Sequence, residues 1–197
     1  MAEEMKDYSG SLKADFRFED LSKEALIRLL YAYAKLYLLM YGEFTNLVTE
    51  RQGKDEAWKY QIEAWMRMAP VAMRMVCKAM NIEPTGVESL LKALQLDPAF
   101  PPNYDVKYAG TGRMEIKDGR GIQYLDRCYA LDGFELAGEE TVIQYCHGME
   151  PPTFSAHARY HHPNMVCKAA KLPPREKNDK GPVCVWEYYI ADQNAPV

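Results

Sequence analysis

The chain of 197 residues has no excess of basic residues. Its 24 Lys and Arg stand against 28 Asp and Glu, which gives a net charge of −4 at pH 7. Proteins that bind phosphate backbones carry basic surfaces, so a nucleic-acid partner is disfavoured. Long uncharged hydrophobic runs are also missing, because Arg28 and Lys35 interrupt the most apolar stretch, residues 25–41. A membrane-spanning helix needs roughly 20 apolar residues, so we expect no membrane association.

The N-terminus lacks the basic start and the apolar segment of a secretory signal. No Gly-rich loop has the spacing of a phosphate-binding loop, so we expect no nucleotide cofactor. These absences predict a cytoplasmic protein, in which the five cysteines are thiols or metal ligands rather than disulfides. With 48% hydrophobic and 26% charged residues, the composition is that of one globular domain.

The first half of the chain has helical periodicity. After Ser22, a predicted N-cap, apolar residues recur at steps of three and four as far as Val48, with Gly42 as a possible bend and Gly53 as the stop. A second helix is predicted over residues 55–80, kinked at Pro70, and a third over residues 87–96.

The second helix is rich in methionine. Met66, Met73 and Met80 form one stripe at seven-residue steps, and Met68 and Met75 form another. Methionine is a common packing residue. Because this helix is apolar on two faces, we expect one face to pack on the sheet and the other on a ligand or a second subunit. A homodimer through the N-terminal helices is therefore predicted.

The second half of the chain changes character after the proline-rich residues 98–103. Short β-like runs are predicted at residues 104–109, 113–117, 165–169 and 183–190, with helical segments at 133–147 and 153–160 separated by a break at Pro151-Pro152. Helices followed by strands indicate an α+β fold, with long N-terminal helices packed on a C-terminal antiparallel sheet. We expect a flexible segment at 1–19 and a single domain at 20–197, with a helical part at 20–97 and a strand-rich part at 103–190.

Cysteine and histidine are concentrated in the second half. All four histidines fall within sixteen residues, 147–162, and His157 and His161 share one face if that segment is helical. Thiolate and imidazole are preferred ligands of zinc and other transition metals. The candidate metal ligands are His157, His161, Cys128, Cys146, Cys167 and Cys184. The alternative is that the cysteines are core residues and the histidines surface residues.

A nucleophilic role for Cys146 is a further hypothesis. His147 or His157 would act as its base and Glu150 as the orienting group, which makes these four the candidate catalytic residues. Residues 128–167 contain five acidic residues and one arginine. A pocket lined by this segment would suit a metal, a cationic ligand or a neutral ligand better than a phosphate.

Several short motifs carry a resemblance to known families. The closing Cys184-Val185-Trp186-Glu187 after a basic loop resembles the last strand of the 4-vinyl reductase small-molecule-binding domain and of the L-2-amino-thiazoline-4-carboxylic acid hydrolase family. Over residues 20–190 the chain is also similar to a domain of unknown function in small proteins of anaerobic bacteria and archaea. The landmarks of that similarity, in order, are Leu21–Glu24, Gly42, Phe44, Trp65, Gly86–Leu94, Cys146, Ala158-Arg159, Pro163, Cys167 and Cys184–Glu187.

This resemblance implies a 4-vinyl-reductase-like α+β fold, usually dimeric, with a pocket between helices and sheet. Some sensory members hold zinc through cysteines and a glutamate three residues before one of them. Here Asn164 stands three residues before Cys167, which departs from that pattern. We expect a metal-dependent, hydrolase-type enzyme that acts on a small molecule through the Cys/His cluster. The alternative is a small-molecule binding or sensing domain with a structural metal or none.

Overall fold

A computed structural model describes residues 4–99, 112–176 and 178–191, with only the backbone at Tyr129. A 3₁₀ turn precedes three helices, and two strands, three further helical segments and two closing strands follow. In chain order the bounds are the 3₁₀ turn Phe18–Asp20, α1 Lys23–Gln52, α2 Lys54–Met80, α3 Val87–Leu94, β1 Gly112–Lys117, β2 Arg120–Leu125, α4 Tyr129–Ala137, α5 Glu139–Ile143, a π-helical turn Gln144–Met149, α6 Glu150–His161, β3 Met165–Lys171 and β4 Cys184–Ile190.

The four strands form one antiparallel sheet in the order β1-β2-β4-β3. The expected α+β class is therefore confirmed, with long N-terminal helices and a C-terminal antiparallel sheet. The predicted strand at residues 104–109 lies outside the described residues. Strand β2 was not predicted, because Gly121 suggested a turn, whereas Gly121 lies inside the strand. A Cβ there would come within 2.6 Å of the Val87 side chain, so only glycine lets α3 pack this closely on β2.

The N-terminal helices begin and end close to where the sequence predicts. The side chain of Ser22 accepts a hydrogen bond from the Ala25 amide at 3.3 Å, which confirms it as the N-cap of α1. Helix α1 continues through Gly42 without a break and ends at Gly53, whose φ of 89° separates it from α2. Pro70 lies inside α2, which continues on both sides of it. Helix α3 stops at Leu94, two residues earlier than predicted.

The predicted break at Pro151-Pro152 is wrong. These prolines lie in the first turn of α6, a position that tolerates proline, and the π-helical turn before them joins α6 to α5. Thr153, where the second helical segment was predicted to begin, is instead inside α6, where its hydroxyl donates to the Met149 carbonyl at 2.9 Å. The chain therefore stays helical from Glu139 to His161, by way of the π-helical turn.

The core lies between α2, α3 and α6 on one side and the inner face of the sheet on the other. Trp186 and Tyr188 of β4 are almost fully buried there, and Tyr188 donates a hydrogen bond to Gln123 at 2.7 Å. Met73 of the first methionine stripe is fully buried in the core, but Met80 of the same stripe is exposed, as are Met68 and Met75 of the other. Helix α2 packs mainly on α1 and α6, and the strands are contacted by α3 and α6. The face of α2 that was expected to pack on the sheet packs on α6 instead.

Candidate functional site

A cavity lies where the end of β2 and the start of β4 meet α4, the π-helical turn and α6. Its volume is about 30 Å³, counted as the space open to the centre of a water-sized sphere. This is enough for a few non-hydrogen atoms. We call it the thiol cavity, because three cysteines stand among mainly apolar walls. Its lining residues are Leu125, Cys128, Leu131, Phe134, Cys146, Glu150, Phe154, Leu172, Pro173, Val183, Cys184 and Trp186.

Three separate elements bring the thiols to the cavity. Cys128 is the residue before α4, three residues after β2 ends. Cys184 opens β4 and pairs in register with Leu125 at the end of β2. Cys146 lies in the π-helical turn, a local widening that is frequent at functional sites. Glu150, four residues after Cys146, is on the same side of the helical segment and completes the polar lining.

The three cavity thiols are held in their neutral form. Burial is the main cause, and it raises the pKa of Cys128 to about 11 and that of Cys146 to about 12. Burial also raises the pKa of Cys184, and the closeness of Cys128, Glu150 and Cys146, whose charged forms would repel a thiolate, adds to this effect. The thiols therefore lack the thiolate character that a nucleophile needs.

Glu150 is the one carboxyl group in the lining of the cavity. Burial, with a smaller contribution from the charge of Asp97, raises its pKa to about 7. Within the described residues its carboxyl forms no hydrogen bond and no ion pair. Glu150 is only half-buried, so its unpaired carboxyl retains some contact with solvent. Glu150 thus presents an unsatisfied acceptor towards free space.

A second polar cluster lies further along the same face of α6, two to three turns after Glu150, and we call it the histidine cluster. His157 and His161 are 1% and 2% exposed, and burial lowers the pKa of both to about 4. His161 Nδ1 lies 2.8 Å from the Ser89 hydroxyl, and its Nε2 lies 4.0 Å from the Cys77 sulfur. His157 Nε2 lies 3.9 Å from an oxygen of Asp97.

Asp97 and His157 are incompletely partnered within this cluster. Burial raises the pKa of Asp97 to about 6, although its carboxylate accepts a hydrogen bond from the Ala99 amide at 2.8 Å. The Nδ1 atom of His157 is buried with no hydrogen-bond partner among the described residues. Sequence reasoning missed Asp97, Ser89 and Cys77, which lie 60 to 84 positions from the histidines they approach. Asp97 showed only a helix-stop signal, and the other two showed none.

The structure separates the six candidate metal ligands into three places. Cys128, Cys146 and Cys184 line the thiol cavity. His157 and His161 share a helical face as predicted but form the histidine cluster instead. Cys167 lies on β3, where it interacts with the hydroxyls of Tyr188 and Ser155 and burial raises its pKa to about 12. Among the side chains that can be placed, no three of Cys, His, Asp and Glu are arranged to hold a metal ion as they stand.

The candidate catalytic residues are likewise only partly brought together. Cys146 and Glu150 meet at the thiol cavity. His147, the next residue in the π-helical turn, is hydrogen-bonded through Nε2 to the Pro173 carbonyl at 2.5 Å. His157 approaches Asp97 and packs edge-on against Phe154. The described contacts join neither histidine to the Cys146 thiol.

Comparisons of the chain with family models, curated proteins and solved structures find no match. The similarity to the 4-vinyl reductase domain and its relatives therefore stays a prediction. None of the helices in the described ranges is both long and apolar enough to cross a membrane.

Proposed function

We propose that the protein binds a small, mainly apolar molecule with one basic nitrogen in the thiol cavity. The observation that carries this proposal is the carboxyl group of Glu150, which stands beside free space with no partner among the described residues. A pocket with apolar walls and few polar groups, one of them with a shifted pKa, is the usual form of a small-molecule site.

The charge of the site favours a cationic ligand. The pKa of Glu150 is raised because burial and Asp97 disfavour its charged form. An ammonium or amidinium group beside Glu150 would supply the missing opposite charge and form a charge-assisted hydrogen bond. Anions are disfavoured, since the cavity lining has acidic and thiol groups and no Lys or Arg. The small free volume limits the inserted part to a few atoms.

The state of the thiols supports binding over thiol catalysis. A cysteine nucleophile acts as the thiolate, which needs a lowered pKa or a base in contact. Cys128 and Cys146 have pKa values of about 11 and 12 and no described contact with a histidine. We propose that these thiols serve as soft, polarisable contacts for the apolar part of the ligand.

The test uses methylamine, isobutylamine and benzylamine, each paired with the alcohol of the same skeleton. We expect at least one amine, at ten times its Kd, to stabilise the protein by about 1.4 kcal/mol, a rise in Tm of about 3–5 °C. The alcohols should have little effect, because they cannot form an ion pair with Glu150. Calorimetric titration at pH 8 then gives the Kd.

The Glu150→Gln variant should lose amine binding and keep its fold. Glu140→Gln is the matched control, since Glu140 is exposed at the start of α5 and lies outside the cavity. If no amine stabilises the protein, or if alcohols act equally, the proposal is wrong. If the Glu150→Gln variant binds the amine as tightly as the unmodified protein, the amine does not bind beside Glu150 in the thiol cavity.

A bound thiophilic metal ion is the second candidate, and three convergent thiols favour it. Cys128, Cys146 and Cys184, with Glu150, would be its ligands after an inward shift, and the predicted hydrolase-type chemistry would depend on it. The measurement is elemental analysis of protein purified without a His-tag and without oxygen. About one zinc or other transition metal per chain, lost in Cys146→Ser, would support this candidate, and metal-free, folded protein would remove it.

A further inference from the structure

Helix α1 is a long helix with very little buried surface. Of its 30 residues, only Ala25 and Ala34 are buried. It packs on α2, where Tyr37 and Tyr41 contact the ring of Trp65 edge-on. A helix that is packed on one side normally exposes a polar surface on the other.

The exposed side of α1 is instead apolar. Six large side chains at steps of three and four residues are 43% to 73% exposed, and we call them the α1 stripe. They are Leu30, Tyr33, Leu36, Met40, Phe44 and Leu47. Spacing of this kind places all six along one face of the helix, over about 26 Å of its length.

The size of the α1 stripe is that of a protein interface. Six side chains of this size and exposure present on the order of 600 Å², the upper limit for an apolar patch on an ordinary monomer. Each partner of a standard protein–protein interface buries about 800 Å². The stripe and its immediate borders therefore supply an area close to that of one side of a stable dimer.

The order of the side chains identifies the partner. Read along the helix, the stripe is aliphatic, aromatic, aliphatic, aliphatic, aromatic, aliphatic, and the same order results when it is read backwards. Its centre lies between Leu38 and Leu39. A twofold axis at that point, perpendicular to the helix, places Tyr33 opposite the partner copy's equivalent of Phe44. Such self-complementarity is what an isologous interface between two identical chains requires.

We propose that the α1 stripe packs against the α1 stripe of a second copy, with the two helices antiparallel about a twofold axis. The sequence predicts a homodimer through the N-terminal helices, and the structure adds the face and the direction. Leu36 and Met40 lie on either side of the axis and form the centre of the interface. This proposal is independent of the thiol cavity and of any ligand there.

The first experiment is sedimentation velocity on the full chain at 1 to 50 µM, a range chosen as on the order of common dimer Kd values. We expect a dimer for the unmodified protein. Met40→Lys places two like charges near the axis and should raise the dissociation constant about tenfold or more. The control is Leu136→Lys, since Leu136 is 92% exposed on α4 and is not part of the α1 stripe, and it should leave the dimer unchanged.

Because Met40 is exposed, we expect the Met40→Lys variant to keep its fold, and far-UV circular dichroism checks this. Leu30→Lys, at 64% exposure, is a second variant that should weaken the dimer from the edge of the stripe. A monomer for the unmodified protein overturns the proposal. So does a dimer that neither lysine variant weakens, because its interface would lie elsewhere.

The second experiment tests the direction of the helices. Tyr33→Cys and Phe44→Cys proteins are prepared separately, mixed to exchange subunits and oxidised, with the unmodified protein as background. In the antiparallel arrangement only the mixture should form interchain disulfides. Equivalent positions then lie about 16 Å apart along the helix axis, beyond the roughly 7 Å between Cα atoms that a disulfide tolerates. Crosslinking of each variant alone would indicate parallel helices and overturn the proposed geometry.

Discussion

The two polar clusters along helix α6 differ both in burial, which is nearly complete only for the histidine cluster, and in the space around them. In the histidine cluster, Ser89 approaches His161 within 2.8 Å and Asp97 accepts a hydrogen bond from a backbone amide. In the thiol cavity, Glu150 has no described partner and faces free volume. Burial alone therefore does not mark a ligand site, and the useful signal is an unpaired group together with room for an atom beside it.

The same physical cause acts in opposite directions on acids and bases. Burial disfavours charge, so it raises the pKa of Glu150 and of the thiols and lowers the pKa of His157 and His161. Lowering the pH should therefore reduce the free energy of unfolding through the histidines and increase it through Glu150. Three variants test the comparison of the two clusters, and the last two of them test its pH dependence.

The largest expected effect comes from Trp186→Ala. Trp186 is 1% exposed, lines the thiol cavity and packs on Phe154 of α6, with ring centroids 4.5 Å apart. Its truncation should reduce the free energy of unfolding by about 4 kcal/mol, measured by urea denaturation. Val185→Ala, on the other face of β4, should cost less than half as much. Equal losses would mean that the cavity wall is not part of the core.

His157→Leu should give the next largest effect, and only in acid. The folded pKa of His157 is about 4, below its usual value of 6.5, so the unfolded chain binds this proton first. Stability is therefore lost as pH falls from 6.5 to about 4. Between pH 6.5 and pH 4 the free energy of unfolding of the leucine variant should therefore fall by about 3 kcal/mol less than that of the unmodified protein. Urea denaturation at pH 7, 6, 5 and 4 measures this, and parallel curves would contradict the buried neutral histidine.

Glu150→Gln should have the smallest effect, at the opposite end of the pH range. The folded pKa of Glu150 is about 7, above its usual 4.5, so the folded protein loses stability as pH rises from 4.5 to about 7. Glutamine removes that loss. The full shift corresponds to about 3.4 kcal/mol at pH 8, but Glu150 is only half-buried and solvent screens its charge, so the variant should be more stable by about 2 kcal/mol at pH 8 and nearly equal at pH 4.5. Glu140→Gln, on the surface, should show no such difference. A variant that is less stable at pH 8 would indicate a cationic partner for Glu150.

Local sequence signals predicted much of the helical half and parts of the sheet. Ser22 as N-cap, the stop at Gly53 and the strand beginning near Cys184 follow from capping, glycine conformation and alternation of side chains. The wrong prediction at Pro151-Pro152 arose because proline ends a helix when it is internal and begins one when it is in the first turn. When a π-helical turn comes before a proline, the sequence does not reveal whether that proline lies in the interior of a helix or in its first turn.

The chain alone determined the α+β class and the concentration of all four histidines and four of the five cysteines in the second half. Only the tertiary structure decided which of them meet. Cys128, Cys146 and Cys184 converge because the end of β2, the π-helical turn and the start of β4 meet at one place, whereas His157 and His161 lie two to three turns further along α6, where they reach Asp97 and Ser89. Periodicity is a local property that neighbouring residues encode. The meeting of distant side chains depends on how whole elements pack, which no short stretch of sequence specifies.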